Sequence, residues 1–315
     1  MEKKPPIKKK IRRIIAAVLL FTVLVVFVLM LPVTQTYLGQ RFTKNINERF
    51  GANIDISSIQ VSPFGYVKLH DILAYDHKQD TLLYVGYARL NTLRLRAILQ
   101  GDNDLGNVFL KDVKFNSTLY KNESESNVNQ FFDRFSSDES TKAKTEIVAS
   151  SISLVDASIR IQNQNNSSRN AQRFTALNAD IQNFRLDGNV ISADIKQVNA
   201  KTNWNDTALT SLAGKYQFSP TSMVLENAVI QTKESVLNVD IRLAYPKGGL
   251  KDFINKINPS GVIKCALIDA SDLNKIFPNW KGKSIKLKGG IDGFVKDFTT
   301  QGVQINHQNT IAGLD

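Results

Sequence analysis

Residues 236–243 read Val236-Leu237-Asn238-Val239-Asp240-Ile241-Arg242-Leu243. From Leu237 onward an apolar side chain falls at every second position, with Asn238, Asp240 and Arg242 between. Period two is that of a β-strand with one face buried and the other in water. A helix would need apolar residues three and four apart. The same texture runs through Leu90–Leu95, Ser151–Leu154 and Ser158–Ile161, and it begins at Ile54, Ile56, Ile59 and Val61, continuing to Val67 and Leu69. Turn signals separate the runs: Pro63-Phe64-Gly65, Asp187-Gly188-Asn189, Ser219-Pro220-Thr221 and Lys247-Gly248-Gly249. The body from residue 52 to 315 is therefore expected to be mainly β.

A short word recurs inside these strands. Leu69-His70-Asp71-Ile72, Leu110-Lys111-Asp112-Val113, Leu154-Val155-Asp156-Ala157 and Leu225-Glu226-Asn227-Ala228 share the form Leu-x-Asp/Asn-apolar. A polar Asp or Asn at one phase predicts a bend or bulge between two strand halves. The acids and the Asn are 41, 44 and 71 residues apart, so the unit recurs loosely and not as a strict solenoid.

The N-terminus has a different composition. Seven of the chain's 40 basic residues and one of its 29 acids lie in residues 1–13. That tail holds +6 of the net charge of +11. The body is thus close to neutral for its size, and nucleic-acid binding is not called for. Ile14–Leu31 is an 18-residue run without a charge, about 27 Å long as a helix and close to a bilayer's hydrocarbon thickness. It is longer than the apolar core of a cleavable signal, and no small-x-small site follows. It is expected to be an uncleaved transmembrane helix, and the flanking cations place residues 1–13 in the cytoplasm. In a bacterium the body is then periplasmic. Residues 32–51 follow as an amphipathic helix, with Val33, Tyr37, Leu38, Phe42, Ile46 and Phe50 on one stripe and Gly51 as a stop. That stripe is expected to cap the start of the sheet. Helices are also predicted at Asn127–Arg134, at Lys251–Ile257 and from Ala270.

Chemistry-bearing constellations are sparse. The three histidines, His70, His77 and His307, stand at no metal-ligand spacing with the single cysteine or one another. Asp71, Asp76 and Asp80 are near in sequence, as strand-edge and turn acids commonly are. Cys265 excludes an intrachain disulfide and is expected as a small buried apolar residue. No Gly-x-Ser-x-Gly elbow or phosphate-binding glycine loop occurs. The expectation is a protein that is not an enzyme and has no catalytic residue, cofactor or metal. What the sequence offers is an apolar sheet face with too few amphipathic helices to cover it. Two sheets can bury such faces against each other, or one curved sheet can leave an apolar groove.

The anchor with Leu31–Leu38, the segment to Gly51, Ile59-Gln60-Val61-Ser62-Pro63-Phe64-Gly65, Leu69–Ile72 and Asp80-Thr81-Leu82-Leu83-Tyr84 together resemble the N-terminal region of the TamB (translocation and assembly module) branch of the AsmA-like envelope proteins. The resemblance is carried by residues 14–120 and is looser from 150 onward. It implies a bacterial inner-membrane protein, single-pass, whose periplasmic part is an elongated, curved antiparallel β-sheet folded lengthwise into a groove, with a few short helices. It implies membrane phospholipids as partners, transport of phospholipid to the outer membrane and outer-membrane biogenesis. A barrel of the BamA/TamA kind is the outer-membrane partner it suggests. TamB-like proteins are much longer, so the chain is expected to be incomplete at its C-terminus. The candidate lipid-facing residues are Ile54, Ile56, Val61, Leu69, Leu93 and Leu95. The alternative function is a scaffold that assists outer-membrane protein assembly by strand-edge pairing.

Overall fold

A computed structural model describes residues 18–21, 23–25, 27–28, 31–50, 53–61, 65–91, 103–136, 146–165, 171–203, 208–246, 256–272, 284–294, 297–307 and 310–314. The expectations for residues 1–13, 92–95, 251–255 and 273–277 lie outside the described residues, as does Gly51.

Fourteen strands form one open sheet, and each strand neighbours those adjacent to it in sequence. They are β1 (Ile54–Val61), β2 (Tyr66–Tyr75), β3 (Thr81–Asn91), β4 (Asn107–Leu119), β5 (Glu146–Asn163), β6 (Gln172–Asp187), β7 (Val190–Thr202), β8 (Ala208–Ser219), β9 (Ser222–Gln231), β10 (Val236–Ala244), β11 (Asn258–Ile268), β12 (Ile285–Phe294), β13 (Asp297–His307) and β14 (Thr310–Leu314). The sheet is long, curved and open, as expected. The helices α1 (Pro32–Phe50) and α2 (Asn127–Ser136) accompany it, the second at the predicted place.

One pairing departs from the antiparallel expectation. β4 and β5 run parallel, with Leu110 opposite Leu154 and Phe115 opposite Ile159. The connection between them contains α2 and is long enough to return the chain to the starting end of β4, which a parallel pair requires. Short turns at Asp76–Asp80, Gly188-Asn189 and Pro220-Thr221 give the chain only antiparallel neighbours.

Each early strand carries one residue too many for plain alternation. The inward apolar positions jump by three at Ile56/Ile59, Leu69/Ile72, Val85/Ala88, Leu110/Val113 and Leu154/Ala157. Register brings these jumps side by side: Ile56 faces Ile72, which faces Val85, which faces Val113, and beside them Ile59, Leu69, Ala88 and Leu110 form a second row. The recurrent Asp/Asn sits at the jump. Asp71, Asp112, Asp156 and Asn227 all have left-handed backbone, with φ of 50°, 56°, 55° and 49°. Asp and Asn visit this region more readily than other side chains do, which is why the word uses them. Farther along, β7, β9 and β11 shift register at Ile195/Val198, Leu225/Ala228 and Ile263/Ala266. A bulge bends its strand and deepens its twist. Bulges aligned across neighbours bend the sheet along one line, a crease that crosses the strands.

The crease has room because glycine faces it. Gly86 lies between Asp71 and Asp112, and a Cβ there would stand 3.0 Å from the Asp112 Cβ. Gly214, at φ +152°, faces the Asn227 bulge, where a Cβ would lie 3.0 Å from the Glu226 carbonyl oxygen.

Folding along the crease lets one face cover itself. Ile59 is 2% exposed and Val67 0%, and the buried cluster joins both sides of the crease, with Ile56, Val85 and Val113 from one and Ile59, Leu69 and Ala88 from the other. Each large side chain so buried contributes about 1.5–3 kcal/mol.

The β1 end is closed by α1. Asn47 Nδ2 donates to the Ile54 carbonyl at 2.8 Å, and the Ile54 amide donates to Asn47 Oδ1 at 2.9 Å. A side-chain amide thus stands where a further strand would pair. The expected apolar stripe covers the sheet only in part, since Val33 is 80% exposed and Tyr37 58%. Among the described residues no helix is long and apolar enough to cross a membrane; residues 14–17, 22, 26, 29 and 30 of the expected span are outside them. Cys265 is exposed, which corrects the expectation that it is buried. The shift at Lys264 puts Ile263 and Ala266 inward and turns Cys265 to the polar face.

The left-handed residues give a direct test. Asp156 is exposed and lends its backbone amide, not its carboxylate, to Asn178 Oδ1. Asp156→Gly should leave stability nearly unchanged, whereas Asp156→Val should cost about 1–2 kcal/mol by urea denaturation. Equal losses would mean that φ at the crease is not the constraint.

Candidate functional site

The apolar face changes character along the sheet. In β1–β5 its fully buried members include the large side chains Ile56, Ile59, Val67, Leu69, Val85 and Val113. This end is a packed core. From β6 to β11 most of the fully buried inward residues are alanines: Ala179, Ala193, Ala200, Ala228 and Ala266. Larger inward side chains there, such as Ile195, Leu212, Tyr216, Leu225 and Leu243, remain half-buried, and Ile241 is 37% exposed. Small inward residues with larger half-buried ones beside them make an apolar strip, or furrow, that still meets solvent. No described helix packs on it; α1 lies against β1 and α2 against β4.

The sequence-derived candidates fall mainly at the packed end. Ile56 and Leu69 are 6% and 5% exposed within the core cluster, and Ile54 packs against it half-buried. Val61 pairs with Val67 in the β1–β2 ladder. Leu93 and Leu95 lie outside the described residues. Alternation does not single out the furrow residues of β7–β11, because each bulge exchanges inward and outward positions. The Leu-x-Asn word at Leu225 is the available signal: it marks where the count must restart.

A polar hub locks the crossover beside the packed end. Asp76, 1% exposed, accepts hydrogen bonds from the amides of Lys78 (2.9 Å) and Asp80 (3.0 Å) and from Asn127 Nδ2 (2.9 Å). The Tyr120 hydroxyl lies 2.7 Å from both Asp76 Oδ2 and Asp80 Oδ2, its one proton shared between them. Burial alone would raise the Asp76 pKa, but the donors from Asn127, Tyr120 and the two amides prevail and hold it below its ordinary value. Burial and the two carboxylates push the Tyr120 phenol up. Asn127, at the start of α2, also accepts the Thr118 amide at 2.8 Å, so one residue ties the helix to the end of β4. Next to it His77 Nε2 and Lys78 Nζ each lie 3.0 Å from Glu123. These two partners draw the Glu123 carboxyl down to about 2. Both oxygens of Asp76 are engaged, which makes this a structural joint. Asp71 is elsewhere, accepting from the Tyr84 hydroxyl at 2.7 Å. Among the described residues no group of three or more His, Cys, Asp and Glu is arranged to hold a metal.

The opposite, polar face carries a shallow cleft of about 320 Å³ over β6–β9, lined by Asn183, Asp194, Lys215, Gln217 and Glu226 among others. Asn183 Nδ2 donates to Asp194 Oδ2 there at 2.7 Å. Its lining is mixed in charge.

No family model matches the chain, and no curated protein matches it.

Acid should loosen the joint at Glu123. Its folded pKa of about 2 lies below the ordinary 4.5, so its contribution is complete above pH 4.5 and disappears as pH falls from there to about 2. Glu123→Gln should lower the urea midpoint at neutral pH and flatten the midpoint-versus-pH curve across that window. An unchanged slope would show that another carboxylate sets it.

Proposed function

We propose that this chain is a membrane-anchored holder of acyl chains, supporting phospholipid transport to the outer membrane from the bacterial inner membrane. The carrying observation is the furrow of β6–β11, an apolar face that the chain folds lengthwise but leaves open. An uncovered apolar surface of this kind marks a binding surface. Acyl chains suit it because they need no hydrogen bonds, and the inward positions from Ile195 to Leu243 offer hydrocarbon or small residues apart from the Tyr216 hydroxyl. The reaction class is transfer without bond-making.

The anchor belongs to the same proposal. The described helical residues from Val18 to Val28 include nine large apolar side chains with exposures from 39% to 70%. In water each such side chain forgoes about 1.5–3 kcal/mol; in a bilayer none does. The Leu31 amide donates to the Val28 carbonyl at 3.2 Å and the Gln35 amide to the Leu31 carbonyl at 3.1 Å, and the exposed Val33 and Tyr37 extend the apolar surface to the interface where Tyr is favoured. With the basic tail in the cytoplasm, α1 hands the chain to a periplasmic sheet.

Edge pairing with a client strand, the scaffold alternative, is weakened at β1. Asn47 already occupies both hydrogen-bonding groups of Ile54 on that edge.

Photocrosslinking residues at Leu225 and Ile241, in the chain expressed in membranes, should trap phospholipid, while one at the outward Arg242 should not. Ile241→Asp should lower capture at Leu225 by about tenfold, the ratio that 1.4 kcal/mol produces. Protein adducts alone at the inward positions, or equal lipid adducts at Arg242, would overturn the proposal.

A further inference from the structure

One rim of the furrow is charged in a way the fold does not require. Arg160 on β5 and Arg173 on β6 are direct cross-strand partners. Lys201 on β7 faces Thr175, two residues along from Arg173. All three are exposed and turn outward, because Ala157 and Ile159, Phe174, and Val198 and Ala200 hold the inward positions. Direct cross-strand partners bring their Cβ atoms to about 4.5–5.5 Å, where like charges destabilise a sheet. Their strand neighbours do not neutralise them: Asn116 faces Arg160, Thr175 faces Lys201, and the Asn203 side chain accepts the Arg173 amide at 2.7 Å. Arg160 Nη2 donates to Gln162 Oε1 at 2.8 Å, a neutral partner. Among the described residues none of the three cations is in an ion pair.

The same rim is apolar on its inner side. Ile161, the next inward residue after Ile159, is 43% exposed, and Phe174, opposite Ile159, is half-buried. Within a few residues of the strand ends at Asn163, Gln172 and Thr202, the sheet therefore shows hydrocarbon inward and three cations outward. Long Arg and Lys stems can lie over such a rim and carry the charge past it, and a guanidinium pair matches the oxygens of a phosphate.

We propose that this rim of β5–β7 is where a phospholipid is held by its phosphate, with Arg160, Arg173 and Lys201 as the phosphate ligands and Ile161 and Phe174 as the first contacts of its acyl chains. This rests on the acyl-holding function above and adds a lateral route to it: the lipid enters over the side of the sheet. The β1 end is not the entrance, because Ile56, Ile59, Val67 and Leu69 fill it. The phosphate of the bound lipid neutralises the like-charged pair, which is what makes the pair tolerable there.

The test uses the full chain in membranes, with a photocrosslinking residue at Ile161 or at Leu225, and vesicles of phosphatidylethanolamine and phosphatidylglycerol as the lipid source. Arg160→Glu, Arg173→Glu and Lys201→Glu combined should lower phospholipid capture at Ile161 by about tenfold, and high salt should lower capture in the parent chain by screening. The corresponding triple Gln variant, which adds no like charge to the sheet, should show the same direction and guards against misfolding of the Glu variant. Undiminished capture at Ile161 in the Gln variant, with lipid still trapped at Leu225, overturns the rim site and leaves the furrow standing. Protein adducts in place of lipid at Ile161 overturn it as well. Absence of lipid at both positions in the parent chain overturns the acyl-holding function and the rim site together.

Discussion

Left-handed backbone at a few strand-interior residues is the constraint on which this structure depends. A strand with strict alternation lies in a gently twisted sheet and offers one apolar face to water. An extra residue held at φ near +50°, Asp71 in β2, Asp112 in β4, Asp156 in β5 and Asn227 in β9, bends those strands at the level where their neighbours also break alternation. Because the register aligns the extra residues, the bends add into a crease. The crease then permits a single layer to bury side chains as completely as Val67 and Ile59 are buried, without a second sheet. The strain of left-handed Asp or Asn is small beside the apolar surface that folding along the line removes from water.

The two ends of the crease serve different purposes. Near β1 the inward side chains are large and meet across it, and α1 closes the sheet edge with Asn47. The buried Asp76 joint then fixes the long connection through α2, so the parallel step between β4 and β5 is held by hydrogen bonds as well as by the ladder. Beyond β6 alanine replaces Ile, Leu and Val at the crease, and the flanking apolar residues no longer touch partners that would seal them. An identical backbone plan thus yields a packed core at one end and a half-exposed apolar strip at the other. Side-chain volume along the crease makes the difference, and it is the property on which the proposed acyl-chain function rests.

Electrostatics follows the same division. Two carboxylates of the packed end are saturated: Asp76 by four donors, Glu123 by His77, Lys78 and Gln130. The cations at the rim of β5–β7 have no such partners among the described residues. A charge that is matched within the fold reports on stability, and one left facing outward beside exposed hydrocarbon reports on what the surface meets.

Much of this was legible in the amino-acid order, because it depends on local chemistry. Period two in Val236–Leu243 dictates strands. The Leu-x-Asp/Asn word announced a bend because Asp and Asn are the side chains that accept left-handed backbone. Which residues face the furrow was not legible in the same way. A bulge moves every later side chain to the other face, so Cys265 and the inward set from Ile195 to Leu243 can be assigned only once the extra residues are located in register. Nor does alternation distinguish a buried Leu69 from a half-open Leu225: both are apolar at the inward phase, and only the volume of the partners brought across the crease decides which is core and which is wall. The parallel pairing of β4 with β5 and the meeting of Arg160 with Arg173 are likewise tertiary facts, since register between strands sets them and no single stretch of sequence contains it.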